Sequence, residues 1–167
     1  MADTRVQLEV EDWVRENWMK VHFSQSFHRK RLKLSSGGVF DFDAVSSDGL
    51  IAASISTSAA TTSGGKHGTR KLMKLRSDML FLLMAEQPSK RLMILTEESM
   101  HALCLKEVSG GRVPRGIEFI LAKIPSELEG RLIESRQKAS REVSPRTILE
   151  ELPDEVLLKS TNTVSQK

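Results

Sequence analysis

The sequence predicts an α/β domain in which a mixed central β-sheet is flanked by helices on both faces. Three observations carry that expectation. Residues 31 to 58 contain three short β-type runs separated by glycine-bearing turns. From residue 69 onward helical and strand patterns alternate, which calls for crossovers between parallel strands. The chain, at 167 residues, is also long enough to bury a sheet between two helical layers.

Composition narrows the class further. A hydrophobic fraction of 39 % and a charged fraction of 28 % exclude wholesale disorder. The formal charge of +3 is mild, so the placement of charge, rather than its total, must identify any polyanionic partner. A single cysteine, Cys104, excludes an internal disulfide and a cysteine-rich zinc site. The four histidines show no metal-ligand spacing. The acidic, amphipathic N-terminus lacks the apolar core of a signal peptide, and no stretch reaches the roughly 18 apolar residues that span a bilayer. The expectation is a soluble cytoplasmic protein with no membrane partner.

In chain order, residues 4 to 21 read as a helix, with Val6, Val10, Trp13, Val14, Trp18 and Val21 on one stripe and Thr4 with Gln7 as a capping box. Glu9, Glu11, Asp12 and Glu16 line its other surface. His28, Arg29, Lys30, Arg31 and Lys33 form a basic run, and Arg31 to Leu34 alternates as a short strand. Ser35-Ser36-Gly37-Gly38 turns into a second strand, Val39 to Val45; Asp48-Gly49 turns into a third, Leu50 to Ser58. After a loop, Thr61 to Gly68, a helix runs from Thr69 to Glu86 ahead of Pro88. Arg91 to Leu95 is a buried strand, and Thr96 is the N-cap of a helix reaching about Lys106. Ile117 to Ile124 is another strand. Pro125 starts a helix to about Val143 on which Arg131, Arg136, Lys138 and Arg141 alternate with glutamates as a solvated face. A short helix from Ser144 carries Ile148, Leu149 and Leu152, and Ser160 to Lys167 is a polar tail behind a single domain, 1–159.

Chemistry concentrates between residues 35 and 74. Asp41 and Asp43 share one face of the second strand, opposite Phe40, Phe42 and Ala44. Ser54, Ser56 and Ser58 share a face of the third, so a regular hairpin brings aspartates and serines together. Behind them, the glycine-rich turn Gly64-Gly65-Lys66-His67-Gly68 opens a helix carrying Arg70, Lys71, Lys74 and Arg76 with no acid before Asp78. Exposed amides and a cationic helix entrance suit a phosphate of a nucleic-acid backbone. The spacing is not that of a P-loop, and a solvated basic face accounts for it equally well.

This layout resembles the PD-(D/E)xK, or restriction-endonuclease-like, nuclease family, whose α-β-β-β-α-β core would cover residues 4 to about 95, with added C-terminal helices. The resemblance implies that Phe42-Asp43-Ala44-Val45 carries the metal-binding aspartate, Asp43, with Asp41 as a second metal candidate. It places the other catalytic positions at Ser54 and Ser56, where the family has an acid and a lysine. Serine is a poor Mg²⁺ ligand and supplies no ammonium charge. Either the site is degenerate, or its parts have moved to Asp41, Glu9, Glu11 or Glu16 and to Lys66, Lys71 or Lys74.

Three functions follow as expectations. The first is a nuclease-like domain with a degenerate active site that binds DNA or RNA, or serves as an accessory subunit, through Lys66, Arg70, Lys71 and Lys74. The second is a Mg²⁺-dependent endonuclease with relocated groups. The third is a structural or assembly protein, a homodimer or a subunit, joined through the tryptophan-bearing first helix.

Overall fold

The computed structural model describes residues 4–61, 65 and 68–142. Among them the order is α1 (Arg5–Trp13), a π-helical stretch (Val14–Met19), α2 (Lys20–Phe23), β1 (Phe27–Lys33), β2 (Val39–Ser46), β3 (Ile51–Ser56), α3 (Thr69–Met84), β4 (Lys90–Leu95), α4 (Glu98–Ser109), β5 (Ile117–Leu121) and α5 (Ser126–Glu142). The strands form one five-stranded sheet in sequence order. It is antiparallel from β1 to β3 and parallel from β3 to β5, the mixed sheet expected of a meander followed by helical crossovers. The helix expected from Ser144 and the tail from Ser160 lie outside the described residues, as do Lys66 and His67.

Two apolar layers hold the helices to opposite faces. On one, Leu75, Met79 and Leu82 of α3 and Met100 and Cys104 of α4 pack with Leu32, Phe42, Val45, Ala52, Met93 and Leu95. On the other, Val10, Val14 and Met19 and Leu132 of α5 pack with Phe27, Ala44, Ala53, Ile55, Leu92 and Ile94. Each fully buried aliphatic side chain contributes about 1.5–3 kcal/mol of transfer free energy, so these layers fix where every helix sits.

The first helix departs from its expected phase. A π turn places residues five apart above one another, and Val14 and Met19 are both 0 % exposed. Val21, expected on the buried stripe, is instead 80 % exposed. The extra residue in the turn rotates everything after it. Trp13 and Trp18 pack against the α1–α5 layer, and Trp18 stacks on His22 with centroids 4.5 Å apart. Thr4 makes no capping bond, because its backbone is already helical.

The second strand departs too. Pairing with β1 shifts between His28–Val45 and Lys30–Phe42, so Asp43 and Ala44 together oppose Arg29. This β-bulge reverses the alternation. Phe42 enters the α3–α4 layer while Ala44 enters the α1–α5 layer, correcting the expectation that they share a face.

Other boundaries moved for local reasons. The basic run belongs to the edge strand β1 itself, which starts at Phe27, a buried residue that anchors it. The third strand is shorter than expected, as is the fifth. Thr96 does not cap α4: its amide still bonds the Ser56 carbonyl at 3.1 Å as the sheet continues, and Glu97 precedes the helix. Nor is the cationic side of α5 merely solvated. Arg131 forms a two-pronged pair with Glu9 at 2.7 and 2.6 Å, and Arg136 reaches the Thr57 carbonyl and Glu97. No helix among the described residues is long and apolar enough to cross a membrane.

Candidate functional site

The candidate centre lies where β2 leaves β3. Their registered pairs are Ala44–Ala53 and Val45–Ala52. Next to these, a side chain takes over from the backbone ladder: the Asp43 carboxylate accepts the Ile55 amide at 2.9 Å. The bulge at Asp43–Ala44 gives the carboxylate its aim.

Helices from both faces bring charge to this fork. Glu11 of α1 accepts a bond from Arg29 of β1 at 3.1 Å. Lys74 of α3 pairs with Asp78 one turn on at 3.0 Å. Burial pushes the Glu11 carboxyl above its usual range, and the Asp43 charge pushes it further against the pull of Arg29, Lys74 and Arg15. Asp78 is raised by the same two causes, burial and then Asp43, opposed by Lys74. Burial would lower Lys74, but the Asp78 bond and the charges of Asp78, Asp43 and Glu11 outweigh it and raise it. Glu11 and Asp78 thus both feel the charges of Asp43 and Lys74, although the Lys74 side chain remains 70 % exposed.

The other candidates fall elsewhere. Ser54 and Ser56 alternate with Ala53 and Ile55, so they belong to the α3–α4 face beside Met93 and Leu95, and both are buried. Among the described residues neither hydroxyl bonds Asp43; the Ser56 hydroxyl accepts the Ser58 amide at 3.4 Å. Asp41 is turned outward on the strand, with both oxygens held in the Arg31 fork at 2.9 Å, which keeps its carboxyl below the usual range. Lys71 donates to the Ala59 and Thr61 carbonyls at 3.2 Å, tying down the chain after β3. Burial and the nearby Arg136 lower that amine. Arg70 is exposed in the first turn of α3, and Lys66 lies outside the described residues.

Among the described residues no group of three or more His, Cys, Asp and Glu side chains is arranged to hold a metal ion. Arg15 escaped the sequence reading, whereas Arg29 entered it only as a member of the basic run and Asp78 only as the first acid of the helix. Arg15 is four residues after Glu11, a spacing that shares a helix side and was available as a signal. The pairing of Arg29 with Glu11 depends on the sheet edge meeting α1, for which no local pattern exists.

No family model, no curated protein and no solved structure matches this chain.

Proposed function

We propose that this chain is a nuclease-like domain that binds the phosphodiester backbone of DNA or RNA at the β2–β3 fork, without the family's usual acid-x-lysine pair. The observation that carries this reading is the row of exposed cations, Arg29, Lys30, Arg31 and Lys33, on the edge strand β1 beside the fork at which the Asp43 carboxylate accepts the Ile55 amide. Support for a phosphate partner comes from the surroundings. His28, Arg29, Lys30, Arg31 and Lys33 stand exposed along the edge strand β1, and Lys74 and Arg70 stand exposed on α3. Backbone phosphates are the ligands such rows suit, and their binding weakens with salt in proportion to the contacts made. The buried Ser54 and Ser56 favour binding over hydrolysis.

One observation favours a second reading, metal-dependent cleavage at the same place. The Glu11 carboxyl is raised by burial and then by the Asp43 charge, and a bound divalent cation would offset both. Mg²⁺ takes one or two carboxylates and completes its shell with water and substrate oxygens, so a two-acid donor set fits it. Glu11 and Asp43 are the residues that would hold it; when bound it would polarise the scissile phosphate. Lys74 would then place its charge beside that phosphate.

The test is titration of labelled DNA and RNA with wild type, Lys74→Ala and Asp43→Asn, together with a cleavage assay in Mg²⁺ and Mn²⁺. Salt-dependent binding that Lys74→Ala weakens, without cleavage, supports the binding domain. Cleavage abolished by Asp43→Asn and Glu11→Gln establishes the enzyme. Absence of both retires the nucleic-acid reading in favour of an assembly role.

A further inference from the structure

The π turn and the β2 bulge converge on one side chain, Arg15. It is 6 % exposed, rare for a residue whose charge is so costly to bury. Such a guanidinium is retained where its donors are used. One of its nitrogens donates to the Asp43 carbonyl at 3.1 Å and another to the Asp12 carboxylate. A bulge removes main-chain groups from ladder pairing, and a buried carbonyl left without a donor is strongly disfavoured. Arg15 supplies that donor at the residue whose side chain defines the fork.

The helix explains how Arg15 arrives there. Arg15 follows Glu11 by four residues and so shares its side of the helix, the side that faces the centre. It lies at the start of the π stretch, where Val14 and Met19 are both sunk in the core and hold the turn against the sheet. Asp12, half-exposed on its other flank, holds the guanidinium from the solvent side. A lysine would place a single point charge here, whereas the planar fork reaches both oxygens.

We propose that Arg15 is a positioning residue: by gripping the Asp43 carbonyl it fixes the bulge that turns the Asp43 carboxylate onto the Ile55 amide. Its consequence for ligand binding rests on the function proposed above, but the geometric claim does not.

The experiment uses the full chain and its Arg15→Met, Arg15→Lys, Asp43→Asn and Arg15→Met/Asp43→Asn variants. Amide hydrogen exchange is read at Ile55, with Ala53 of the same strand as the internal reference. Arg15→Met is expected to speed Ile55 exchange about tenfold or more relative to Ala53. Arg15→Lys is expected to do so by less. The effect of Arg15→Met on affinity for a labelled DNA duplex is expected to be smaller in the Asp43→Asn background than in wild type, since both changes act on one arrangement. Exchange that rises uniformly along β3 with lost stability makes Arg15 merely structural and overturns the proposal, as does full additivity. Should Arg15→Met fail to fold, Arg15→Lys gives the same comparison. A wild type that binds no nucleic acid retires the proposed function, and Ile55 exchange then decides this inference alone.

Discussion

Replacing Glu11 by glutamine is expected to tighten nucleic-acid binding in EDTA. At the fork, the carboxylates Glu11, Asp43 and Asp78 face the cations Arg15, Arg29 and Lys74, so the centre is nearly neutral. Glutamine keeps the shape, removes one negative charge and releases Arg29 from its 3.1 Å pair. For a phosphate about 6 Å away, in an effective dielectric of about 40–80, one uncompensated charge is worth roughly 0.7–1.4 kcal/mol. That is about a three- to tenfold fall in Kd. The assay is fluorescence anisotropy of a labelled duplex at low salt, where screening is weakest. Binding that is unchanged or weaker in EDTA refutes the placement of Glu11 beside the phosphate. If Glu11 and Asp43 hold Mg²⁺, the same substitution weakens metal-dependent binding instead, so the sign in the two buffers separates binding domain from enzyme.

The remaining predictions concern stability and reactivity. Met19→Ala is expected to cost about 2–5 kcal/mol in urea unfolding, and Val21→Ala to stay within about 0.5 kcal/mol; the reverse order would mean that the helix has no π turn. Glu11 and Asp78 carry raised carboxyls, so each destabilises the fold at neutral pH, and the penalty disappears as pH falls through its folded range towards the unfolded value. Glu107, lowered by Arg112 and Arg76, and Asp41, lowered by Arg31, work the opposite way and lose stabilisation as pH falls. The double variant Glu11→Gln/Asp78→Asn should therefore lose stability more steeply than wild type on acidification, as urea midpoints at neutral and acid pH will show; a parallel decline refutes it. Cys104, pushed up to about 11 first by burial and then by Glu107, is expected to resist iodoacetamide in the native state and to react on unfolding. Rapid native labelling would place it on the surface.

The local patterns were legible for physical reasons. Three- and four-residue spacing in Leu72, Leu75, Met79 and Leu82 and the apolar run of β4 are properties of short windows, and both elements formed as those windows dictate. The glycine at position 49 marked its turn, since its backbone has φ of 75°. Asp43 also stood out, as one of two acids, with Asp41, among the phenylalanines and valines of its strand.

What the sequence by itself determined was therefore the succession of elements and the mixed sheet they build, because periodicity and turn chemistry act within a few residues. Tertiary packing decided the rest. The π turn forms where Val14 and Met19 both reach the core, and it carries Val21 out to solvent; the bulge divides Phe42 and Ala44 between two layers. Whether Glu11 meets Arg29, and whether Ser54 and Ser56 face a site or a core, depends on elements distant in the chain coming together. An ion pair between residues 18 positions apart has no signature in either neighbourhood, since its energy exists only once the sheet edge and the helix are side by side.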